Sequence, residues 1–291
     1  MQSIRPPKLT PVRIATWNIN SIRTRIDRVV EWLQATDVDV LALQETKCRD
    51  DQFPEDALAA IGYEVAHHGL SQWNGVALVS RLGFSDIKVG FDGMPGFAKD
   101  HDGVGEPPLE ARAIGATIGG VRLWSLYVPN GRSLDDPHFD YKLRWLDALR
   151  TATAGEMDTH EQLAIMGDFN IVPTDVDCGD PRMIPGQSTH ISPVERSSFA
   201  EFEAMGLFDV VRPTVPTGFT YWDYKNLAFP RDEGLRIDFI LGTAALRDVV
   251  SDAFIDRDQR KGEQPSDHVP VVVEIARAEV NGDDDDRPMF W

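Results

Sequence analysis

Five short polar clusters in the chain combine carboxylate, carboxamide and imidazole side chains at the ends of apolar runs. The clearest is Gly167-Asp168-Phe169-Asn170, which follows the apolar run Leu163–Met166. Because strand side chains alternate between faces, Asp168 and Asn170 lie on the same face, where they could deprotonate and orient a water. Aspartate and asparagine also occur in ordinary turns, so this pair gains weight only from the other four clusters.

The other clusters repeat the arrangement along the whole chain. They are Trp17-Asn18-Ile19-Asn20, Leu43-Gln44-Glu45-Thr46, Arg236-Ile237-Asp238-Phe239 and Ser266-Asp267-His268-Val269-Pro270. Glu45 offers a hard oxygen ligand, and Asn18 and Asn20 could bind the same ion, because Mg²⁺ prefers carboxylates, waters and substrate oxygens. The alternatives are a surface glutamate and a pair of turn amides.

His268 is the strongest acid–base candidate in the sequence. It follows Asp267, and Asp238 is available as a carboxylate that could fix its tautomer and favour its charged form. A charged imidazolium facing a phosphate would stabilise the negative charge that develops during hydrolysis.

Two further groups could contact a ligand. Tyr127 and Asn130 close an apolar run and could hold phosphate oxygens, or they could mark a plain strand exit at Pro129. The aromatic cluster Tyr221-Trp222-Asp223-Tyr224 predicts an exposed surface that stacks on a nucleotide or lines a sugar pocket.

The composition excludes several classes of protein. The 291 residues, 42% of them hydrophobic, can bury a large core, and there is no apolar run long enough to span a membrane. The two cysteines, Cys48 and Cys178, are too few for a disulfide framework or a four-ligand zinc site. With no apolar stretch of a secretory signal near the start, we expect reduced thiols in a cytoplasmic protein.

The net charge of −18 argues against a protein that coats nucleic acids without specificity. Residues 279–291 carry −4 of this charge, which leaves −14 on the rest of the chain. Any DNA binding must therefore use a local basic surface. Basic residues do occur beside the polar clusters, namely Arg23, Arg25, Lys47, Arg49 and Arg236.

The spacing of apolar residues predicts an α/β fold. Strands are expected at 12–18, 38–44, 63–67, 75–80, 110–118, 121–128, 162–167, 237–241 and 269–276, and helices at 21–35, 54–61, 139–155 and 195–205. Ser21 is the expected cap of the first helix. Because the clusters extend from residue 18 to residue 268, we predict one catalytic domain over 1–278, followed by an acidic, disordered tail over 279–291.

As a set, these motifs resemble the exonuclease III branch of the abasic-site endonucleases, within the DNase I-like endonuclease/exonuclease/phosphatase superfamily. The resemblance follows the family's order over about residues 12–276 and includes Leu43-Gln44-Glu45-Thr46-Lys47, Tyr127-Val128-Pro129-Asn130-Gly131 and Leu235-Arg236-Ile237-Asp238. It implies a four-layer α/β sandwich of two packed, mainly antiparallel sheets flanked by helices. It also implies a divalent-metal hydrolase that cuts DNA 5′ to abasic sites, cleans blocked 3′ ends and degrades duplex DNA 3′→5′.

The resemblance further implies roles for individual residues. The catalytic positions are Asp168, Asn170, His268, Asp238 and Tyr127; Asp168 would activate the attacking water and His268, partnered by Asp238, would face the scissile phosphate. The substrate-binding positions are Asn130, Arg112, Tyr221, Trp222, Lys225, Leu235 and Ile237, several of them near the pocket for the extruded abasic sugar. The metal-binding positions, for Mg²⁺ or Mn²⁺, are Glu45, Asn18, Asp267, Asp168 and Asn170.

Three segments lie outside these motifs. The loop 92–109 either contacts DNA or is a plain surface loop. The segment Ala204-Met205-Gly206-Leu207-Phe208 faintly resembles the peptides that dock on sliding clamps, although a helix end packed into the core is the alternative. The tail ends in Met289-Phe290-Trp291, which is either a partner peptide or a disordered terminus. We expect a monomer that acts on double-stranded DNA with abasic sites or blocked 3′ ends.

Two other functions stay open at this point. A phosphatase or phosphodiesterase acting on inositol phosphates or sphingomyelin would use the same pairing of Asp168 and His268, but the Glu45 motif and the Tyr221 cluster favour the DNA branch. No amphipathic basic helix indicates a lipid substrate. A catalytically inactive DNA-binding protein on the same fold is disfavoured because every expected catalytic position holds the expected type of residue.

Overall fold

Twelve strands form the centre of the molecule in the computed structural model, which describes residues 11–99 and 105–276. In chain order they are β1 (Val12–Asn18), β2 (Val40–Gln44), β3 (Glu64–His68), β4 (Val76–Ser80), β5 (Ser85–Val89), β6 (Ala113–Ile118), β7 (Val121–Tyr127), β8 (Leu163–Asp168), β9 (Leu207–Asp209), β10 (Asp238–Thr243), β11 (Val250–Ile255) and β12 (Val271–Ile275). The helices are α1 (Ile22–Thr36), α2 (Glu55–Ala59), α3 (Pro137–Met157), α4 (Pro193–Ala204) and α5 (Ala244–Arg247). None of the described helices combines the length and apolarity that crossing a membrane requires.

The strands make two six-stranded sheets with the same kind of internal order. The first sheet runs β11-β12-β1-β2-β4-β3 and the second runs β5-β6-β7-β8-β10-β9. Each sheet has one parallel pair, β1 with β2 and β7 with β8, and its other pairs are antiparallel. A helix connects the two strands of each parallel pair, α1 in the first sheet and α3 in the second, as a parallel pair requires.

Apolar residues on both faces of each sheet produce four layers. The inner faces meet in a core that includes Ile14, Val40 and Leu78 from the first sheet and Ala116, Leu123 and Met166 from the second. The outer face of the first sheet packs on Val29, Trp32 and Leu33 of α1 and Leu58 of α2. The outer face of the second sheet packs on Tyr141, Trp145 and Leu149 of α3 and Phe202 of α4. The predicted four-layer sandwich of mainly antiparallel sheets is confirmed.

The sequence prediction missed three strands, and all three lie at sheet edges. β5, β9 and β11 each have a neighbour on one side only. Their residues are partly exposed, with only Leu207 and Ala253 buried, so their apolar pattern is weaker than that of a central strand. The predicted strand at 110–118 also begins later, at Ala113.

The predicted cap of α1 is wrong in its mechanism. Ser21 does precede the helix, but its φ is 87° and its side chain makes no capping hydrogen bond. Its backbone N–H instead donates to the carbonyl of Glu45 at 2.7 Å, and the N–H of Ile22 donates to the carbonyl of Thr46 at 3.1 Å. The start of α1 is thus attached to the segment that follows β2, which helps to position Glu45.

The segment 204–208 belongs to the folded core. Leu207 is 1% exposed and lies in the same apolar cluster as Phe202, and it pairs with Thr243 in the second sheet. This supports the alternative of a helix end packed into the core. Of the loop at 92–109, residues 100–104 lie outside the described residues, as do residues 279–291 with the predicted tail.

Candidate active site

The polar clusters predicted from the sequence converge between the two sheets, at the ends of the parallel strand pairs. Asn18 ends β1, Glu45 follows β2 and Asp168 ends β8. The side-chain Nδ2 of Asn18 donates to Glu45 Oε1 at 2.8 Å and to Asp168 Oδ2 at 3.0 Å. One buried amide therefore holds a carboxylate from each sheet.

Asp168 is buried among like charges. It is 1% exposed, and its other oxygen, Oδ1, accepts the backbone N–H of Asn170 at 2.8 Å. Burial raises the pKa of Asp168 to about 7, helped by the charges of Asp238 and Glu45 and opposed by His268. A carboxylate with a raised pKa can accept a proton near neutral pH, as a general base must.

Asn170 is held in a left-handed backbone conformation, with φ at 51°. Its Nδ2 donates to the carbonyl of Val128 at 3.0 Å, and its Oδ1 accepts from Nδ2 of Asn130 at 3.1 Å. The two amides thus form a rigid pair next to Asp168. Left-handed conformations are costly for residues other than glycine and concentrate at functional sites.

His268 lies between two buried carboxylates. Its Nδ1 is 2.8 Å from Asp238 Oδ2, and its Nε2 is 3.7 Å from Asp168 Oδ2. Burial opposes the charged imidazolium, but Asp238 and Asp168 outweigh it and raise the pKa of His268 to about 10. Asp238 therefore lies against His268, and the ring is a cation near neutral pH.

Glu45 is the most accessible carboxylate of the group. Burial opposes its ionisation, yet the ammonium of Lys47 and the amide of Asn18 outweigh burial and hold the pKa of Glu45 below its usual value. Lys47 Nζ lies 2.7 Å from Glu45 Oε2 and 2.5 Å from Asn20 Oδ1. Glu45 and Lys47 both have left-handed φ values, 52° and 53°, so this turn is fixed by its contacts rather than by backbone preference.

Tyr127 faces Glu45 from the end of β7. Burial raises the pKa of Tyr127 well above its usual value, and the charge of Glu45 adds to the effect, so the hydroxyl keeps its proton. The guanidinium of Arg112 stacks 4.8 Å from the Tyr127 ring centroid and is tied to Glu110 at 2.7 Å. The Arg112 side chain is 5% exposed and supports the Tyr127 ring, and the contact with a substrate that the resemblance implied stays a prediction.

The donor set fits a hard divalent cation. Glu45, Asp168 and His268 offer ligand atoms that all lie within 4.8 Å of one another. His268 is a poor ligand here because its charged form is favoured, which leaves the two carboxylates, the oxygen type that Mg²⁺ or Mn²⁺ takes. Asn18 turns its Nδ2 toward both carboxylates and its Oδ1 toward the N–H of Asn20, so it orients the carboxylates. The pKa of Asp168 is raised first by burial and then by the charges of Asp238 and Glu45, and a cation bound between the carboxylates would offset those charges.

Asp267 lies beside this group without joining it. Its Oδ1 accepts from Nδ2 of Asn20 at 2.9 Å, and Asn20 in turn donates its backbone N–H to Asn18 Oδ1 at 3.1 Å. Asp267 is therefore connected to the carboxylates through two asparagines.

The predicted exposure of the aromatic cluster is wrong for Trp222, and the role of Tyr221 in ligand binding stays a prediction. Trp222 is 0% exposed and belongs to a small core with Val269, so it cannot stack on a nucleotide. Tyr221 is partly exposed and its ring centroid is 4.9 Å from that of His268. Leu235 and Ile237 are buried next to it, 4% and 1% exposed, and form the apolar floor of the site.

Of the basic residues predicted to bind DNA or to form a basic surface, Lys225 is exposed, whereas Arg236 and Arg25 are buried. Lys225 is exposed, but no contact connects it to the carboxylate group. Arg236, expected to contribute to a basic surface, is 1% exposed and pairs with Asp209 at 3.1 Å. Arg25 is 8% exposed and donates to the backbone carbonyl of Gln264 at 2.9 Å. Both arginines hold loops together, which a local sequence pattern does not reveal.

Three residues near the site were missed by the sequence analysis. His190 approaches Asn130 Nδ2 at 3.3 Å and lines an open cavity with Tyr221 and Leu235. Lys142 and Glu195 form a buried ion pair behind Asn130 and Asn170. They lie on helices or in a Pro-rich loop, far from any strand end, so the signal that revealed the other residues was lacking.

Comparison with known proteins identifies the class of fold and site. Residues 15–268 match the Endonuclease/Exonuclease/phosphatase family, and the chain belongs to that family. Among curated proteins it is similar to exodeoxyribonuclease III of Haemophilus influenzae, with 30% identity over 273 residues that cover 91% of this chain and all of that protein.

Solved structures give the same placement. A 3′ phosphatase from Neisseria, solved with a product DNA hairpin, shares 38% identity at a TM-score of 0.83 and covers 91% of this chain and 99% of its own. An AP endonuclease from Archaeoglobus fulgidus shares 33% identity at a TM-score of 0.81 and covers 92% of this chain and 100% of its own. Within the family, the chain is therefore similar to DNA repair nucleases of the exonuclease III type.

Proposed function

We propose that this protein is a divalent-metal-dependent DNA repair hydrolase that cleaves the phosphodiester backbone 5′ to abasic sites, cleans blocked 3′ ends and degrades duplex DNA 3′→5′. One observation carries the proposal: the buried carboxylate of Asp168 lies between the Asn18–Glu45 pair and the His268–Asp238 pair. A base, a cation and a set of metal ligands then surround one space, as phosphodiester hydrolysis requires.

The chain's own residues supply the proton transfer and the stabilisation of charge. Asp168 accepts the proton of the attacking water through the carboxylate that Asn170 orients. The His268 imidazolium, held by Asp238, donates a hydrogen bond to a phosphoryl oxygen as negative charge grows there.

Tyr127 and Asn130 complete the proposed site on the side of the second sheet. The protonated hydroxyl of Tyr127 and the amide of Asn130 bind non-bridging phosphate oxygens and fix the phosphate before attack. Tyr221, over the apolar floor of Leu235 and Ile237, borders the space that receives the sugar next to the scissile bond. An abasic nucleotide has no stacked base to lose, so it enters such a space at low cost.

We propose that Glu45 and Asp168 hold the metal, with Asn18 orienting the two carboxylates through its Nδ2 and with Asn170 and Asp267 at the rim. The ion supplies Lewis-acid stabilisation of the phosphoryl charge when bound. We propose Mg²⁺ as the physiological ion, because carboxylate oxygens are hard donors and Mg²⁺ binds through one or two of them together with water and substrate oxygens; Mn²⁺ would take the same donors.

The second candidate function is a hydrolase that acts mainly on blocked 3′ ends of DNA. The relative with 38% identity is described as a 3′ phosphatase, and it was solved with a product DNA hairpin. An inositol phosphate or lipid substrate has less support, since the comparisons reach DNA repair enzymes over nine-tenths of the chain.

The remaining predictions concern partners and location. We propose a monomer that is cytoplasmic and that associates with the nucleoid when it acts on duplex DNA. Docking of the segment 204–208 on a sliding clamp stays a prediction, and it would require Leu207 to leave the core of the second sheet.

The test is an end-labelled duplex with one tetrahydrofuran abasic analogue, and a second duplex with a 3′-phosphate. We expect Mg²⁺-dependent cleavage that EDTA abolishes and that Asp168→Asn lowers by about 10³-fold or more, because the base and a ligand are lost together. Glu156→Gln, which changes a carboxylate tied to Arg122 and Trp124, is the matched control and should keep full activity. Cleavage of neither duplex by the folded, metal-loaded parent would refute the proposal; cleavage of the 3′-phosphate duplex alone would select the second candidate.

A further inference from the structure

A fully buried ion pair joins helices α3 and α4 behind the site. Lys142 on α3 and Glu195 on α4 form a salt bridge, and both side chains are 0% exposed. Desolvation offsets most of the attraction in such a pair, so apolar residues of similar size often give equal or better stability. Stability alone therefore does not account for a lysine and a glutamate at these positions.

The ammonium of Lys142 directs its other donors at the two asparagines of the site. Besides Glu195, Lys142 Nζ donates to the backbone carbonyl of Asn170 at 2.6 Å and to that of Asn130 at 3.3 Å. All three N–H groups of the ammonium thus have acceptors. Gly131 packs so closely that an added Cβ would lie 3.2 Å from Lys142 Cδ, so the lysine stem and the Asn130 loop fit one another.

The two backbone segments that Lys142 fixes are those whose side chains form the site. Asn170 has a left-handed φ of 51°, and its N–H holds Asp168 Oδ1 at 2.8 Å. Its side chain accepts from Asn130 at 3.1 Å. A bond from Lys142 to the Asn170 carbonyl therefore acts on the orientation of Asp168 through a single residue.

Glu195 extends the same support to the segment before α4. Its Oε1 also accepts from the backbone N–H of His190 at 2.8 Å and from Thr189 Oγ1 at 3.0 Å, and its Oε2 accepts from the N–H of Ser192 at 3.2 Å. This segment places the His190 ring 3.3 Å from Asn130. One carboxylate thus gathers the loop that borders the site.

We propose that Lys142 and Glu195 are a positioning pair, which holds the Asn130 and Asn170 backbones so that Asp168 and the phosphate-binding amides keep their reactive geometry. Neither residue touches the substrate. The inference rests on the proposed nuclease function, because the geometry that it maintains is that of the hydrolytic site.

The test removes both charges together, so that no unpaired charge stays buried. In Lys142→Met/Glu195→Gln we expect kcat to fall about 10- to 100-fold with KM changed less than about 3-fold, because displacements near 1 Å at a reacting centre cost about 10²-fold. The matched control is Arg122→Met/Glu156→Gln, which removes another ion pair of α3, at 2.8 Å, from the opposite end of the helix. The control should lose stability but keep its kcat.

Hydrogen exchange provides a second readout that does not depend on activity. The amide of Asn170 and those of residues 130–132 should exchange faster in the first double variant and not in the control, at equal fractions folded. If the first double variant does not fold, the near-isosteric Glu195→Gln should show smaller changes of the same kind, namely a lower kcat with little change in KM and faster amide exchange. Parent-like kcat and exchange would overturn the inference. A parent that cleaves no DNA would instead refute the proposed function, and the exchange would then decide whether the pair orders these segments.

Discussion

Residue scale: His268 acquires its proposed role from its neighbours. An isolated histidine has a pKa near 6.5 and would be mostly neutral above pH 7. Between Asp238 and Asp168, the pKa of His268 rises to about 10 despite burial. The ring should therefore remain an imidazolium over the whole range in which a DNA repair enzyme works, and it can stabilise a phosphoryl oxygen without first gaining a proton.

Replacing Asp238 should move the pH dependence of the enzyme. In Asp238→Asn the charge that most raises the pKa of His268 is lost, so the imidazolium should deprotonate at lower pH. We expect the alkaline limb of the kcat/KM profile to shift downward by at least one pH unit from its position near pH 10 in the parent, so that kcat/KM at pH 9.5 falls about 3-fold or more below that of the parent through this shift alone. The measurement is a pH–rate profile between pH 6 and 9.5 at saturating Mg²⁺. A profile that is lowered but unchanged in shape would contradict this role for Asp238.

The sequence predicted the polar residues of the site better than its aromatic and basic ones. Asp168, Glu45 and His268 stand at strand ends, where alternation and chain direction decide which way a side chain points. Trp222 and Arg236 were misjudged because exposure depends on what the rest of the chain packs against them, and adjacent residues do not encode that.

Element scale: the two parallel strand pairs position the site, and the close approach of β7 and β8 depends on one glycine. Gly167 precedes Asp168 and has a φ of 147°. A Cβ added there would lie 1.9 Å from the carbonyl oxygen of Leu126, its partner on β7. Any side chain must therefore push the two strands apart next to the proposed base.

Gly167→Ala should consequently damage both stability and catalysis. We expect the free energy of unfolding to fall by about 1–3 kcal/mol, the usual cost of forcing extra atoms into a packed core, and activity to fall further than the folded fraction explains. Urea unfolding and cleavage of the abasic duplex provide the two measurements. The control is Gly155→Ala in α3, where nothing lies within 4 Å of the added Cβ; it should gain up to about 1 kcal/mol. Equal stability of the two variants would show that the strands tolerate the methyl group.

Edge strands explain why the prediction of elements was incomplete. Central strands such as β2 and β8 are buried throughout, so their sequences are continuous apolar runs. Edge strands such as β5, whose residues are mostly exposed, read as loops until a neighbour supplies the pairing. The site was predictable to the extent that it depends on central strands.

Whole-molecule scale: the site requires residues from both ends of the chain and from both sheets. Asn18 belongs to the first sheet, Asp168 and Asp238 belong to the second, and His268 follows near the end of the described chain. Ser266 Oγ donates to the Asn18 carbonyl at 2.7 Å, which joins the last strand region to the first strand. Cleavage should therefore depend on the fold of the whole chain. Conditions such as pH that change the free energy of unfolding should then also change activity.

One hydrogen bond, between His138 and Gly131, should make the free energy of unfolding depend on pH. It is 4% exposed at the start of α3, and its Nδ1 accepts the backbone N–H of Gly131 at 3.1 Å, so the ring must be neutral in the fold. Burial, with the nearby charge of Arg112, lowers the pKa of His138 to about 4. In the unfolded chain the pKa of His138 is near 6.5, so between pH 6.5 and pH 4 the ring binds a proton in the unfolded chain but not in the folded chain. The contribution of His138 to stability is thus complete above pH 6.5 and is lost as the pH falls toward 4.

The variant His138→Asn should therefore be less sensitive to acid than the parent. The asparagine Oδ1 can replace Nδ1 as the acceptor but does not titrate, so the stability difference between parent and variant should shrink by about 1–2 kcal/mol from pH 7.5 to pH 5. Urea unfolding of both proteins at the two pH values gives this difference, and the comparison cancels other groups, including Asp168, whose raised pKa acts with the opposite sign. A difference that stays constant would mean that His138 is protonated in the folded chain, and the Gly131 contact would then have to be broken in solution.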